Sequence, residues 1–216
     1  MNGQLSLVEQ IYRSIRFWVG RYRYQHRNAK HLVRKDFTII SNNCWGGIIS
    51  EKYGIRKNSP TCGLLILGND YTKFCANLKH YTSQKLHFIP MEQSKHYDTY
   101  KNMSFPVALC DDIEIYFMHY PSAEVAEAKW YRRCKRINWN FLIYKLSERE
   151  DFSKQDMKEF ATLPLENKLI IGEEKYTPDT VVIEGIHTYN GSEEDIIAEV
   201  FDEAKYFNSI AKRIER

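Results

Sequence analysis

The sequence predicts an α/β fold: a mixed, largely parallel sheet with helices on both faces, preceded by an N-terminal amphipathic helix. Three observations carry this prediction. Short apolar runs such as 37–40, of the kind that form strands buried on both faces, alternate along the chain with segments of helical periodicity. Two runs, 105–109 and 113–118, stand so close together that they read as a hairpin, which makes the sheet mixed. Residues 5–24 place Val8, Ile11, Tyr12, Ile15, Trp18, Val19 and Tyr22 on one helical stripe, with arginines filling the other face. The economical division is a basic helical arm over 1–35 and a single α/β domain over 36–216.

The bounds agree with that division. A chain of 216 residues with 43% hydrophobic and 27% charged residues folds around a core and is not disordered. No apolar run reaches the roughly 18–20 residues of a membrane span. The start, Met1 to Ser6, lacks a secretory pattern, so a cytoplasmic location is expected. Five cysteines, an odd count with no C-x-x-C pair, fit neither a disulfide framework nor a zinc site, and no set of metal ligands stands out. Net charge is only +3, but from Arg13 to Lys35 every charged residue is basic. That arm suits an anionic membrane surface, leaving the protein peripheral to the inner face of the membrane. The same stripe also fits a helix packed on the domain or a dimer contact. No nucleic-acid motif accompanies it, and none is expected to bind.

In chain order, 37–40 is the opening strand, and 48–53 a short helix closed by Gly54. The run 62–67 reads as a buried strand, followed by a helix capped by Asn69 or Asp70 with Tyr71, Phe74, Cys75, Leu78 and Tyr81 on its apolar face. Residues 86–89 form a strand and 91–104 a long loop. The second hairpin strand alternates, which predicts one less buried face. Ser122 caps a helix to about 137, and 141–146 is a strand. Ser153 and Asp156 form a capping box for a helix to about 161. Strands at 168–171 and 180–183 and a final helix after Ser192 complete the fold.

Candidate chemistry gathers at the end of the first strand, where open α/β sheets bind ligands. The turn Ser41-Asn-Asn-Cys-Trp-Gly-Gly47 carries a thiol that a following helix N-terminus would activate, with His119 as base and His187 as second choice. The helix amides could hold an oxyanion, and Gly46 and Gly47 would let substrate approach. Asp111 or Asp112 could orient the base. The simpler reading is a packed thiol with Trp45 as a plug. Asp112-Ile-Glu114 offers a different chemistry, because carboxylates at i, i+2 of a strand share a face and could hold a divalent ion on a sugar diphosphate. Arg133 and Arg136 could receive an anionic substrate. No dinucleotide fingerprint, P-loop or metalloprotease motif occurs, and no cofactor is indicated.

Long ordered strings are then recognisable: Asp36 to Gly47, Asn58-Ser-Pro-Thr61, Asp70-Tyr71, Asp112-Ile-Glu-Ile115, His119-Tyr120, Glu127-Ala-Lys-Trp130, Arg133 and Arg136-Ile137. Over roughly 36–190 the chain resembles a bacterial family of unknown function that carries the label exopolysaccharide biosynthesis protein. The resemblance implies an enzyme of exopolysaccharide or capsule biosynthesis, a transferase acting on activated or lipid-linked sugars. A nucleotide-activated or otherwise anionic sugar is the expected substrate. On this reading Asn42, Asn43, Cys44, Trp45, Ser59, Thr61, Asp112, His119, Arg133 and Arg136 serve one cleft. A non-catalytic scaffold of the same machinery is the alternative.

Overall fold

The computed structural model describes residues 7–149 and 152–214, without the side chains of 7–10, 13 and 214. The first two residues of the expected opening helix, and the faces assigned to Val8 and Arg13, lie outside that description. The chain begins with α1 (Leu7–Ala29) and continues through β1 (Thr38–Ser41), α2 (Trp45–Lys52), α3 (Gly68–Ala76) and α4 (Leu78–Tyr81). Next come β2 (His87–Ile89), α5 (Tyr97–Tyr100), β3 (Val107–Cys110), β4 (Ile113–Tyr116), α6 (Ala123–Cys134) and β5 (Leu142–Ser147). It closes with α7 (Lys154–Thr162), β6 (Lys168–Gly172), β7 (Val181–Val182), α8 (Glu193–Val200) and α9 (Glu203–Ile214).

The fold is mixed α/β, as expected, with its strands in two sheets. A parallel sheet runs β1-β5-β6-β7, and an antiparallel sheet runs β2-β3-β4. Side-chain alternation along the parallel strands explains why both faces are covered. Ile40, Tyr144, Leu146 and Ile170 point into one apolar cluster with Tyr71, Phe74, Trp130 and Phe160 of α3, α6 and α7. Ile39, Ile143, Leu169 and Ile171 point into the other, with Trp45 and Ile49 of α2 and Phe207 and Ile210 of α9. Burying each large side chain contributes about 1.5–3 kcal/mol. The Tyr71 hydroxyl ties β1 to β5 by donating to the carbonyls of Ile40 at 3.0 Å and Lys145 at 2.7 Å.

Several local expectations need correction. Residues 62–67, buried apart from Gly63, form no strand, because Gly63 turns the chain at a φ of +79° and only Leu65 bridges to Tyr116 of β4. This segment seams the two sheets instead, since Ile66 N–H also donates to the Asn42 carbonyl at 3.1 Å. Neither Asn69 nor Asp70 caps α3, whose preceding residue is Leu67. Asp70 instead accepts from the Glu114 amide at 2.8 Å and from Lys95 at 3.0 Å. Both faces of β4 are buried, because residues of the 91–104 segment fold back over it: Ser94 donates to Glu114 at 3.0 Å, and the segment contains α5. The final helix is divided at Phe201 and Asp202 into α8 and α9. By contrast, the Ser122 cap and the Ser153–Asp156 capping box stand as expected, and such caps contribute about 1 kcal/mol each.

Candidate active site

The carboxyl ends of β1 and β5 lie side by side, with Ser41 in register with Lys145. Beyond β1 the chain turns through Asn42 and Asn43 and enters α2 immediately after Cys44. Gly46 makes this tight geometry achievable, since a Cβ there would sit 2.9 Å from the Ser41 Cβ and 3.1 Å from Ile39 Cγ2. Its function is therefore helix-on-strand packing rather than access for substrate. Gly47 does line the adjoining cavity.

The turn is held from below by a buried polar cluster. Lys145 Nζ meets Glu193 Oε1 at 2.5 Å, Ser147 Oγ at 2.8 Å and the Oδ1 of Asn43 at 3.2 Å. Asn43 Nδ2 donates to the other oxygen of Glu193 at 2.5 Å, and Asn43 Oδ1 accepts from the Trp45 amide at 3.2 Å. Burial alone would raise the Glu193 pKa. Its ion pair with Lys145 and its hydrogen bonds from Lys145, Ser147 and Asn43 outweigh that and hold it below the ordinary 4.5. Asn42, Asn43, Trp45, Ser59 and Thr61 are all at least 94% buried, so they support the site and do not face a ligand. Thr61 Oγ1 accepts the Ser41 amide at 3.1 Å and contacts Ser59 Oγ at 2.9 Å, which satisfies the end of β1.

Above this floor, Cys44 Sγ lies 3.0 Å from His119 Nε2. The two are 75 positions apart in sequence and meet because Leu65 joins the 62–67 segment to β4, while the His119 amide donates to the Gly63 carbonyl at 3.2 Å. Both line a cavity of about 660 Å³, within the range that takes small ligands. Its walls come from α1 (Arg21, Tyr24, Gln25), α2 and the following turn (Glu51, Lys57), α6 (Lys129, Arg133) and α8 (Glu194, Asp195). With Lys52, five cations outnumber three carboxylates around it. Arg133 is fixed by donating to the Cys62 carbonyl at 2.7 Å and to the Tyr120 hydroxyl.

Cys44 is set apart from the other thiols. It is half-buried and stands 3.0 Å from an imidazole, whereas burial pushes the Cys62 and Cys75 thiols up, and those of Cys110 and the likewise half-buried Cys134 up to about 12. Buried thiols of that kind are unreactive.

The other sequence candidates lie elsewhere. Asp112 sits in the β3–β4 turn, paired with Lys73 at 2.7 Å and the Tyr81 hydroxyl at 2.8 Å, and these bonds lower its pKa. Asp111 pairs with His80 at 2.7 Å, so neither aspartate orients His119. Glu114 is buried and accepts from Ser94, the Lys95 amide and Tyr116, and so shares no ligand face with Asp112. Arg136 is outside the cavity wall, beside Arg56, Arg132 and Arg133. Desolvation and then these like charges lower its pKa. His187 is also outside, on the far turn after β7. The Trp45 amide, one of the expected oxyanion donors, is committed to Asn43.

Lys145 and Glu193 escaped sequence reasoning, although a lysine inside the apolar run 141–146 is a usable signal for a buried partner. Lys129 and the α8 acids carried no signal, because their approach depends on packing.

The family model described as "Domain of unknown function (DUF1919)" matches residues 17–212. The chain belongs to this family. A protein of Haemophilus influenzae described as uncharacterized is 28% identical over 176 residues, covering 82% of this chain and 78% of that protein. The DUF1919 match reaches beyond the 36–190 span of the recognised strings and takes in most of α1.

Proposed function

We propose that this DUF1919 protein is a thiol-dependent transferase that carries an acyl group on Cys44 and acts on an anionic substrate. The observation that supports it is the 3.0 Å contact between Cys44 Sγ and His119 Nε2 at the wall of a cation-rich cavity. In the first half-reaction His119 takes the thiol proton and Sγ attacks the acyl carbonyl carbon. A C–S bond forms, the bond to the leaving group breaks, and His119 returns the proton to that group. In the second half, an acceptor hydroxyl gives its proton to His119 and attacks the thioester, which restores the thiol. Lys129 and Arg133 hold the anionic portion of the substrate against α6.

The setting is surface-polysaccharide assembly in the cytoplasm, with an activated sugar as acceptor. That setting rests on the resemblance of the strings quoted above. The metal-assisted glycosyl transfer expected from Asp112 has no comparable support, because its carboxylate is engaged by Lys73 and Tyr81 away from the cavity.

The test uses p-nitrophenyl acetate as an acyl donor. A stoichiometric burst of nitrophenolate, with one acetyl group mapped to Cys44, is expected from the native chain and absent from Cys44→Ala. Acetylation spread over surface lysines, with the same burst in Cys44→Ala, would refute the proposal.

A further inference from the structure

The outer face of α1 has no partner among the described residues. Ile11, Ile15, Trp18, Val19 and Tyr22 form one stripe, each 44–67% exposed. At about 100° per residue, these positions cluster on one side of the helix, with exposed Arg16, Arg23 and Arg27 along the adjacent flank. The contacts that hold α1 to the body begin at Arg21, on the flank beside Trp18. Arg21 bridges to Glu51 at 2.6 Å, and Tyr24 and Gln25 complete the cavity wall. The stripe itself stays exposed from Ile11 to Tyr22, and the same side of the helix becomes buried against the body at Ala29.

Composition identifies the occupant. Between Glu9 and Asp36 there is no acidic residue. The stripe ends in aromatic rings, and the flank is cationic, with the Arg21 guanidinium 5.2 Å from the Trp18 ring centre. A second copy would offer the same stripe beside the same arginines, with no acid between Glu9 and Asp36 to meet them. A layer of anionic headgroups answers both the apolar stripe and the charge. The described helices include none long and apolar enough to cross a membrane, so α1 would lie along the interface over its length of about 34 Å.

We propose that α1 docks the protein onto an anionic lipid surface, with Ile11, Ile15, Trp18, Val19 and Tyr22 entering the headgroup layer and Arg16, Arg23 and Arg27 lying on it. This stands independently of the chemistry at Cys44.

The test is flotation of the full chain with vesicles of phosphatidylcholine, alone or with an equal part of phosphatidylglycerol. Binding to the anionic vesicles is expected, falling as salt is raised. Each basic residue at such a surface is worth about fivefold, so Arg16→Gln/Arg23→Gln/Arg27→Gln should bind roughly a hundredfold more weakly. Ile15→Asp/Trp18→Asp should lose binding while keeping its thermal unfolding midpoint, because both positions are exposed. Equal binding to both vesicle types, undiminished binding by the Ile15/Trp18 variant, or no binding at low salt would overturn the proposal. So would a salt-resistant dimer that Trp18→Asp dissociates without any vesicle binding, which would make the occupant a second copy.

Discussion

Replacing Lys145 by methionine tests whether the floor of the site is held by its buried ion pair. The lysine is fully buried and Glu193 is 6% exposed, so the substitution strands a carboxylate with no cation. Breaking a buried pair by removing one partner costs about 3–5 kcal/mol. For a chain of this size that lowers the unfolding midpoint by roughly 6–20 °C. Changing Glu193→Gln as well should recover part of the loss, since no unpaired charge then remains. A double-mutant cycle by urea unfolding should therefore give a coupling of about 2 kcal/mol or more. The pH dependence supplies a second sign. In the native chain the Glu193 pKa is held below 4.5, so its contribution is fully present above that pH and is lost as pH falls through the depressed value. Without Lys145, burial raises that pKa, and the variant should gain stability relative to the native chain as pH drops from neutrality toward 5. A loss below about 1 kcal/mol with an unchanged pH profile would refute the account of how the turn is held.

Two further outcomes follow from the same geometry. Gly46→Ala forces a Cβ against Ser41 and Ile39 and should cost about 1–3 kcal/mol in urea unfolding, whereas a neutral result would deny that α2 is pressed onto β1. Asp112→Asn removes a half-exposed pair with Lys73 and should change stability by no more than about 1 kcal/mol, leaving the nitrophenyl acetate burst intact. Loss of that burst would return Asp112 to the site.

The sequence made the layers of the fold legible because strand alternation and helix periodicity are local signals. The run 62–67 misled for a local reason too: its apolarity reports burial, while the two glycines at its ends, 63 and 68, both adopt positive φ and interrupt pairing. Long-range closure was harder to read. The meeting of Cys44 with His119 depends on the seam from Leu65 to Tyr116, and no spacing in the chain encodes it. Asn42, Asn43, Ser59 and Thr61 looked like ligand contacts because polar turn residues serve either a ligand or the backbone. Here the Ser41 and Trp45 amides and the buried Lys145 and Glu193 engage three of them, with Ser59 braced against Thr61. Asp112 was misplaced because a single residue, Asp111 at a φ of 57°, turns the hairpin and carries both acids toward Lys73 and His80.

The most direct test of the central pairing is the rate at which iodoacetamide alkylates each cysteine at neutral pH, followed by peptide mass mapping. A free thiol is only a few per cent thiolate at pH 7, so transfer of the proton to His119 can raise reactivity up to about thirtyfold. Cys44 should be modified well ahead of the four other cysteines, and His119→Ala should slow it by roughly tenfold or more with the fold intact. Alkylation of Cys44 no faster than that of Cys134, or a rate unmoved by His119→Ala, would contradict a thiol–imidazole site.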